Sequence, residues 1–565
     1  MNASGGARAG TGTLCALAGT VVLAVCSSGC ATDAPREPEA AHEARAGVEN
    51  GRARGNDEGQ ALPDAARTRR RREATPWPDA PTADSDYAPV PRSEILDLYA
   101  RTVVEPWSGD IYLHLAPGHY ILEADGADSS DQRKAAFHLS AYDRERHVPL
   151  LVYVPGDPTP AVHPEPVSLE SIGATLFDLL AVKRPPGVVA PALAVPRAGH
   201  PKLIVVLVMD ALPYTMWDQY LGRQPNFAAL RARGQEYSNT RLDYMSSSTT
   251  VSHSVLSTGL PPMKTGIPIN YTRTGPGRKT EVFVHQDPSR LLAPTVADLY
   301  DMQHGNRPIV MSFSSQARAA IAMAGHGTAF PKGDPDLVVW QGDGSDEIES
   351  NAQFYLLPTY LQGFLHGYID RAAGAEFLGR HLESPKDFFL SPQNVRIGEQ
   401  VVSLMLANEP VGKGDSPDLL FFNQKVSDNI GHAFGPESLE YRAGLDELDA
   451  FIGRFQETLE KTVGLDYVLF VTADHGFGPS LGAASQDVRR HPRLELQATL
   501  EATFGTPDHP VFEDIQELNV YLNLDNLRAN GHTPADVCTF LQKNDWVKTC
   551  LTRDEVLEER RRLGL

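Results

Sequence analysis

The chain has 565 residues, which is enough for one large α/β domain with insertions or for two domains. It carries 72 acidic and 51 basic residues, and its formal net charge of -21 argues against nucleic acid or an anionic membrane surface as its main partner. An anionic substrate would therefore need local positive charge, which bound metal ions can supply.

The first thirty residues have the pattern of an export signal. The stretch from Thr13 to Val25 is apolar but too short to span a bilayer comfortably, and Ser28-Gly29 then leads to Cys30. This pattern is similar to a bacterial lipoprotein signal in which Cys30 is lipidated, and an ordinary secretory peptide is the alternative. We therefore expect residues 1–30 to be a signal peptide. The protein would work in the cell envelope, at the periplasmic face or as an outer membrane lipoprotein, or be secreted.

The remaining chain divides by composition into four segments. Residues 31–90 are rich in Ala, Pro, Glu and Arg with almost no apolar periodicity, and they predict a disordered tether. Strand and helix patterns occupy 91–182, and a linker rich in Pro, Ala and Val follows at 183–201. Strands then alternate with helices over 202–565, which is the pattern of a parallel α/β sheet. One clear helix with an apolar face at helical spacing follows Pro436.

Cysteine usage leaves one question open. If Cys30 carries a lipid, only Cys538 and Cys550 remain in the mature globular part. An oxidising envelope compartment would permit these two to pair, but the sequence does not show whether their Cβ atoms meet. A disulfide and two buried free thiols are both compatible with the pattern.

Three unbroken apolar runs each lead to residues that bind divalent metals. Runs of this kind suit strands buried on both faces of a parallel sheet, and ligands bind beyond the carboxyl ends of such strands. The runs and the residues after them are 203–208 with Asp210, 419–422 with Asp428 and His432, and 467–471 with Asp474 and His475. Asp and His delivered to one edge from three strands predict a hydrolytic centre with two metal ions.

A stretch rich in Ser and Thr, residues 248–262, follows the first of these strands and its helix. A hydroxyl there could face Asp210, bind a metal and attack phosphorus, because metal coordination lowers the pKa of the hydroxyl. Turn and capping chemistry explains such a stretch equally well. The residues alone leave both interpretations open.

These features together resemble one family. Residues 428–436 match D-x-x-G-H-x-x-G-P, residues 473–476 match A-D-H-G, and Thr249 precedes His253 by four residues ahead of a T-G segment. The chain is similar to the alkaline phosphatase superfamily, in the threonine-nucleophile branch of nucleotide pyrophosphatase/phosphodiesterases and periplasmic alkaline phosphatases. The resemblance implies an α/β fold, with a mostly parallel central sheet sandwiched by helices and a small cap insertion.

The resemblance also implies the metal ligands. One zinc ion would be held by Asp210, Thr249, Asp474 and His475, and the other by Asp428, His432 and one further His.

The family pattern selects the nucleophile and the phosphate-binding residues as well. It implies that Thr249 is the nucleophile, with Thr250 as the alternative. It further implies that Asn270 and Arg318 hold the phosphoryl oxygens.

The further His is displaced in this sequence. In the family it lies far downstream of the D-H-G motif, where this chain has no comparable segment. Instead His138 precedes a His147-Val148-Pro149 strand near the N-terminus, in surroundings that resemble the family's C-terminal portion. We therefore infer a circular permutation that places this portion at residues 91–182, since the termini of compact domains often lie close together. His491 is the alternative ligand.

Substrate specificity is expected to depend on residues 312–318. This segment resembles one in which monoesterases of the branch have S-x-K-x-R; here Gln316 occupies the Lys position and Arg318 matches the Arg. Gln donates a hydrogen bond but brings no charge to the dianionic phosphoryl group of a monoester. The substitution weakens the monoesterase interpretation, and another cation such as Lys332 is a candidate replacement.

We expect a metal-dependent hydrolase that cleaves phosphate esters through a phospho-threonine intermediate, with two divalent metal ions that are expected to be zinc. Its substrate would be a small phosphate ester, and its membrane contact would be the lipid on Cys30. A phosphodiesterase, nucleotide pyrophosphatase or phosphonate hydrolase is the alternative. A metal-binding lipoprotein with a decayed hydrolase fold is the non-enzymatic alternative.

Overall fold

The computed structural model describes most of the chain after the predicted signal and tether. The described ranges, all within the unit Arg69–Leu565, are 74–123, 133–196, 200–275, 278–342, 344–480 and 489–565. The predicted signal peptide, the predicted lipid anchor Cys30 and residues 31–73 of the predicted tether lie outside these ranges. Within them, none of the helices combines the length and the apolar character that crossing a bilayer requires.

A nine-stranded sheet forms the centre of the described structure. Five adjacent strands in its middle are parallel, and antiparallel pairings on both sides of them make the sheet mixed. From one edge to the other the strands are Ile348–Glu349, Leu337–Gln341, Val310–Ser314, Asp418–Gln424, Leu203–Met209, Tyr467–Thr472, Leu150–Tyr153, Gln235–Tyr237 and Ala161–His163. The predicted mostly parallel sheet is confirmed for this central part.

The three strands predicted from apolar runs lie side by side in the middle of the sheet. Every residue of Leu203–Met209, Asp418–Gln424 and Tyr467–Thr472 is buried. Burial on both faces explains why these runs show no polar alternation, since helices cover both sides of a parallel sheet. Their register aligns Met209 with Gln424 and Val208 with Thr472, so the three strands end at one level.

Helices flank the sheet in two packed groups. The helices Glu170–Leu179, Thr249–Thr258 and Ala317–Ala324 pack together, and Gln393–Asn408 and Val426–Phe434 pack against Leu439–Val463. The remaining α-helices are Arg92–Ala100, Asp143–Arg146, Tyr214–Gln219, Pro225–Arg231, Pro262–Thr265, Val296–His304, Phe364–Arg371, Pro385–Phe389, Arg493–Phe504, Leu524–Ala529, Pro534–Leu541 and Arg553–Leu563.

The long helix predicted after Pro436 runs from Leu439 to Val463. Ser438 caps its N-terminus, because the Ser438 side chain accepts a hydrogen bond from the Tyr441 backbone N–H. The predicted apolar face is fully buried, and its residues are Leu445, Leu448, Ile452, Phe455 and Leu459.

A second sheet brings the two ends of the described chain together. Its four strands, in order, are Phe512–Gln516, Asn519–Leu522, Ile111–Leu115 and Val547–Thr552. The helix Arg92–Ala100 packs on the helix Arg553–Leu563, and Arg92 forms an ion pair of 2.5 Å with Glu555. The early part of the chain is therefore integrated with its end.

The remaining strands of the described residues form small sheets of two or three strands. His119–Ile121 pairs with Arg489–His491, and Thr240–Arg241 lies between His147–Val148 and Val167–Ser168. Two hairpins consist of Tyr271–Gly275 with Arg278–Glu281 and of Glu376–Phe377 with Arg380–His381.

Residues 74–90 differ from the predicted tether. Trp77 is buried in the main core, where its ring meets Tyr220 edge-on with ring centroids 4.8 Å apart. Asp86 is also buried, and its carboxylate pairs with the Arg144 guanidinium at 3.1 Å. Burial of the Trp77 indole and the buried ion pair offset the entropy lost when this segment becomes ordered. The mainly polar composition of the segment gives no sign of these two contacts.

The two cysteines of the C-terminal region form a disulfide. Cys538 on the helix Pro534–Leu541 bonds to Cys550 on the strand Val547–Thr552, with Cα atoms 5.3 Å apart. The alternative of two buried free thiols is therefore wrong.

Candidate metal centre and active site

Asp210, Lys425 and Asp474 come together because their strands end at the same level. The Asp210 backbone N–H donates to the Gln424 carbonyl at 2.9 Å. The Asp474 carboxylate accepts from the Ala211 backbone N–H, also at 2.9 Å. These links tie the three strand ends together, and all three side chains are buried.

The first group of ligand atoms consists of Asp210, Asp474 and His475. His475 Nε2 lies 3.4 Å from Asp474 Oδ2 and 3.9 Å from Asp210 Oδ1. The His475 Nδ1–H donates to the Gly476 carbonyl at 3.0 Å, which leaves the Nε2 lone pair for a metal.

The D-H-G glycine lets this group approach the N-terminal part of the chain. A Cβ atom on Gly476 would lie 2.1 Å from the Arg144 carbonyl oxygen, so a larger residue would push the two segments apart. The Gly476 backbone N–H donates to the Glu145 carbonyl at 2.8 Å. A segment more than three hundred residues away thus supports the metal group.

The second group consists of His138, Asp428 and His432. Asp428 and His432 lie on successive turns of the helix Val426–Phe434, and His432 Nε2 is 3.2 Å from Asp428 Oδ1. His138 Nε2 lies 3.9 Å from the same oxygen. The Nδ1–H of His138 donates to the Ser247 carbonyl at 2.6 Å and that of His432 to the Ala136 carbonyl at 2.9 Å. Both rings therefore direct Nε2 toward Asp428.

Both groups have the chemistry of divalent metal sites. Four buried atoms around them have no hydrogen-bond partner in the part of the chain that the structure describes, and these atoms are Asp210 Oδ1, Asp428 Oδ1, Asp474 Oδ2 and His475 Nε2. Buried polar atoms normally have partners, and a metal ion in each group would satisfy these four. Imidazole nitrogen and carboxylate oxygen, without thiolate, fit zinc and similar ions.

The electrostatics of the second group agree with this fit. In the first group burial opposes a charge on His475, but the carboxylates of Asp474, Asp210 and Asp428 outweigh burial and raise the pKa of His475. Burial and the neighbouring Asp474 carboxylate raise the pKa of Asp210 to about 7. Burial also opposes ionisation of Asp428, but Lys425, His432 and His138 outweigh it and hold the pKa of Asp428 well below its usual range. Burial lowers the pKa of both His138 and His432, so these rings are neutral, as metal ligation requires.

Thr249 lies beside both groups. It is the first residue of the helix Thr249–Thr258, is 2% exposed, and its Oγ is 3.3 Å from Lys425 Nζ. A Cβ on Gly173 would lie 2.4 Å from the Gly259 backbone nitrogen, so the neighbouring helix can hold this helix closely. The Thr250 hydroxyl donates instead to Asn270 Oδ1 at 2.5 Å. Thr249 is therefore the hydroxyl that lies by the ligand groups.

Comparison with known proteins agrees with this geometry. Residues 204–538, more than half of the chain, match the family described as type I phosphodiesterase / nucleotide pyrophosphatase. The chain belongs to this family.

Two curated relatives carry the name alkaline phosphatase. The chain is 26% identical over 344 residues to alkaline phosphatase PhoV of Synechococcus elongatus, covering 51% of this chain and 61% of the relative. It is 25% identical over 435 residues to alkaline phosphatase PafA of Elizabethkingia meningoseptica, covering 65% of this chain and 77% of the relative. The chain thus spans only part of the length of these relatives.

A solved structure of the family shares the fold. The crystal structure of wild-type alkaline phosphatase PafA superposes with a TM-score of 0.54 at 22% identity, covering 65% of this chain and 81% of that chain. The α/β architecture with a large mixed sheet flanked by helices is therefore shared with that phosphatase.

In this family member two cavities meet at the predicted phosphate-binding residues. One, of about 200 Å³, is lined by Thr249, His138 and Asp428 as well as by Asn270 and Arg318. The other, of about 330 Å³, is also lined by Asn270 and Arg318. Both residues therefore lie where they could contact a phosphoryl group beside Thr249.

The second cavity contains the substituted specificity position. Gln316 lies on its wall together with Trp340 and Phe283. The Nε of Arg318 and the Oε1 of Gln316 are buried and have no hydrogen-bond partner among the described residues. Lys332, the candidate replacement cation, is exposed and lines neither cavity.

The two candidates for the further His lie in different places. His138 belongs to the ligand group with Asp428 and His432. His491 is 3.0 Å from His119 through ring nitrogens, and its ring stacks on Trp546 with centroids 3.8 Å apart. The structure brings together the predicted site residues except two alternatives, His491 and Lys332.

Sequence reasoning missed two residues of the centre. Lys425 has its ammonium group between Asp210 and Asp428. Asn423 donates from Nδ2 to Asp210 Oδ2 at 3.1 Å. The sequence did contain a signal for both residues. Asn423 and Lys425 follow a continuous apolar run and lie five and three residues before Asp428.

His253, used only to locate Thr249, also lies here. Its Nδ1–H donates to the Thr249 carbonyl at 2.7 Å, and its Nε2 accepts from Asn423 Nδ2 at 3.0 Å. Both nitrogens of His253 have hydrogen-bond partners, so His253 positions its neighbours. Its ring also lies close enough to Asp210 and Asp474 for the three side chains to hold a metal ion together.

Proposed function

We propose that this chain hydrolyses phosphoric esters with two divalent metal ions, and that Thr249 is the nucleophile. The observation that carries the proposal is the set of buried ligand atoms without hydrogen-bond partners beside the Thr249 hydroxyl. A protein does not bury several such atoms around one hydroxyl without a compensating ligand. Zinc is the proposed metal because the donors are imidazole nitrogen and carboxylate oxygen.

The residues of the chain support an in-line displacement in two steps. Bound divalent ions would lower the pKa of the attacking hydroxyl and neutralise charge on the phosphoryl oxygens. Thr249 Oγ forms a bond to phosphorus while the bond to the ester oxygen breaks, and the alcohol leaves with a proton. Asn270 and Arg318 donate hydrogen bonds to the non-bridging oxygens. Water then attacks the phospho-threonine, phosphate leaves, and the Thr249 hydroxyl is restored.

Two candidate activities within this proposal, on monoesters and on diesters, differ in the number of organic groups that the substrate carries on phosphorus. A phosphodiester has an organic group on each side of phosphorus, and the cavities of about 200 and about 330 Å³ meet at Arg318 and Asn270. Gln316 brings no charge to this junction. These observations favour a diester as the second candidate beside a monoester. A nucleotide pyrophosphate and a phosphonate ester belong with it, because each also carries a substituent on both sides of phosphorus.

Kinetics with paired substrates test the proposal. Wild-type protein loaded with zinc should hydrolyse para-nitrophenyl phosphate, bis-para-nitrophenyl phosphate or both, and a chelator should abolish the activity. Thr249→Ala should lower kcat by several orders of magnitude at normal zinc content, while Thr539→Ala on an exposed helical position should leave it unchanged. Activity retained in Thr249→Ala but lost in Thr250→Ala would move the nucleophile by one residue.

One result would favour the non-enzymatic alternative. If the protein binds two zinc ions but hydrolyses neither ester nor a phosphonate ester, it is a metal-binding module on a hydrolase fold. A mass increase of one phosphoryl group in rapidly quenched wild-type protein, absent from Thr249→Ala, would support the enzymatic proposal.

We also propose that the protein works in the cell envelope through a lipid on Cys30. The support is the signal pattern of residues 1–30. Labelled fatty acid should enter the wild-type protein and be absent from Cys30→Ala. Labelling of both would refute the anchor, and labelling of neither would favour secretion.

A further inference from the structure

Lys425 is a fully buried lysine in the centre of the candidate active site. Its Nζ lies 2.9 Å from Asp210 Oδ2 and 2.7 Å from Asp428 Oδ2. These two carboxylates belong to different ligand groups. The ammonium group therefore joins the two groups directly.

The carboxylate oxygens are divided between Lys425 and the ligand groups. Lys425 contacts the Oδ2 atom of Asp210 and the Oδ2 atom of Asp428. The Oδ1 atom of each is buried and has no hydrogen-bond partner within the described ranges. Each carboxylate thus uses one oxygen for the ammonium and keeps the other for a metal ion. This division fixes the orientation of both ligands.

The third contact of Lys425 is the proposed nucleophile. An ammonium group has three N–H donors, and the third acceptor is Thr249 Oγ at 3.3 Å. A donated hydrogen bond orients the Thr249 hydroxyl oxygen toward the ligand groups, and positive charge beside it favours the negative charge that develops there during attack.

Charge balance gives a reason for a lysine at this place. The centre contains three buried carboxylates, and a single buried ammonium offsets one of them. Burying a charge is costly unless it is paired, and Lys425 is paired twice. Arg318 supplies positive charge in the two cavities and Gln316 supplies none. Lys425 is the cation that the strand end places at Thr249.

We propose that Lys425 is a permanent third cation of this centre, which bridges Asp210 and Asp428 and positions Thr249 Oγ between the two ligand groups. The expected effect of Lys425 on turnover rests on the proposed function, whereas its expected effect on metal binding does not. Lys425 would be a positioning residue, since it acts through the metal ligands and the nucleophile.

Replacement of the amine at constant size tests the inference. Lys425→Met should bind zinc about tenfold or more tightly, because it removes a like charge next to both ligand groups. Its kcat should fall by about 10²–10³-fold, by analogy with loss of a donor to a developing oxyanion. Lys425→Arg keeps the charge and should retain zinc affinity near that of wild type with a smaller loss of kcat. Lys264→Met, on an exposed helical position, is the matched control and should change neither quantity.

The opposite directions of the two effects separate this role from a structural one. Titration calorimetry of zinc into metal-free protein gives the affinity, and it needs no substrate. A damaged fold would weaken zinc binding as well as turnover. Unchanged or weaker zinc binding in Lys425→Met therefore overturns the inference, and so does an unchanged kcat.

Two further results keep the test decisive. If Lys425→Met does not fold, a crystal structure of the zinc-loaded wild-type protein decides: Nζ still between Asp210 and Asp428 supports the inference, and Nζ turned away overturns it. If the wild-type protein hydrolyses no phosphate ester, the proposed function fails. The zinc affinities still test Lys425 in that case.

Discussion

His138→Ala tests both the second ligand group and the inferred circular permutation. The variant removes an imidazole whose Nε2 lies 3.9 Å from Asp428 Oδ1 and whose ring stacks on His475 with centroids 4.0 Å apart. The group then keeps only two side-chain ligands, Asp428 and His432. Loss of a partner that merely orients a ligand costs about 10–100-fold in metal affinity, so loss of the ligand itself should cost at least about 100-fold.

This loss can be expressed as stability. Zinc at 100 times its dissociation constant stabilises a folded protein by about 2.7 kcal/mol per site. After a loss of about 100-fold in affinity the same zinc concentration would only equal the dissociation constant, and the stabilisation would fall to about 0.4 kcal/mol. At this zinc concentration the second site would be about half occupied, so plasma emission spectrometry should find about 1.5 zinc ions per chain in place of two. The zinc-dependent increase in Tm should shrink accordingly.

His491→Ala is the matched control. It removes the other candidate His, whose ring stacks on Trp546 with centroids 3.8 Å apart, and it should leave the zinc content unchanged. Zinc lost from His491→Ala but retained in His138→Ala would refute the ligand assignment and remove the main support for the permutation.

Three further predictions concern specificity, pH and the disulfide. Gln316→Lys should raise monoester kcat/KM more than diester kcat/KM, because it adds charge at the phosphate cavity; equal effects would exclude Gln316 from that role. Burial and Asp334 raise the pKa of Asp301 to about 8, so the folded state holds a proton that the unfolded chain releases. The stability that Asp301 contributes is therefore lost as the pH rises from about 4 to about 8. The free energy of unfolding, measured with urea in chelator, should change by a more negative amount over this range in wild type than in Asp301→Asn; equal slopes would contradict this. Replacing Cys538 and Cys550 by Ala opens a loop with a sequence separation of 12 and should cost about 3 kcal/mol of unfolding free energy with zinc content unchanged.

The central strands and the long helix could be predicted from the sequence. Apolar runs starting at Leu203 and Tyr467 predicted strands that the structure begins at the same residues. The helix Leu439–Val463 was visible for the same reason, because burial of one stripe imposes its period on the sequence. The motif also named Asp428 and His432 as ligands four residues apart, and the structure places both on the helix Val426–Phe434.

Only the tertiary structure decided which distant residues complete the centre. His138 donates to the Ser247 carbonyl over 109 residues of chain, and Lys425 reaches Thr249 over 176. The pairing of Cys538 with Cys550 and the burial of Trp77 were also undetermined by local pattern. The periodicity of apolar residues along a segment indicates how that segment is buried. A ligand group depends instead on how separate segments pack against one another. That packing has no local signature, so the sequence by itself located the strand ends and the fold assembled the site upon them.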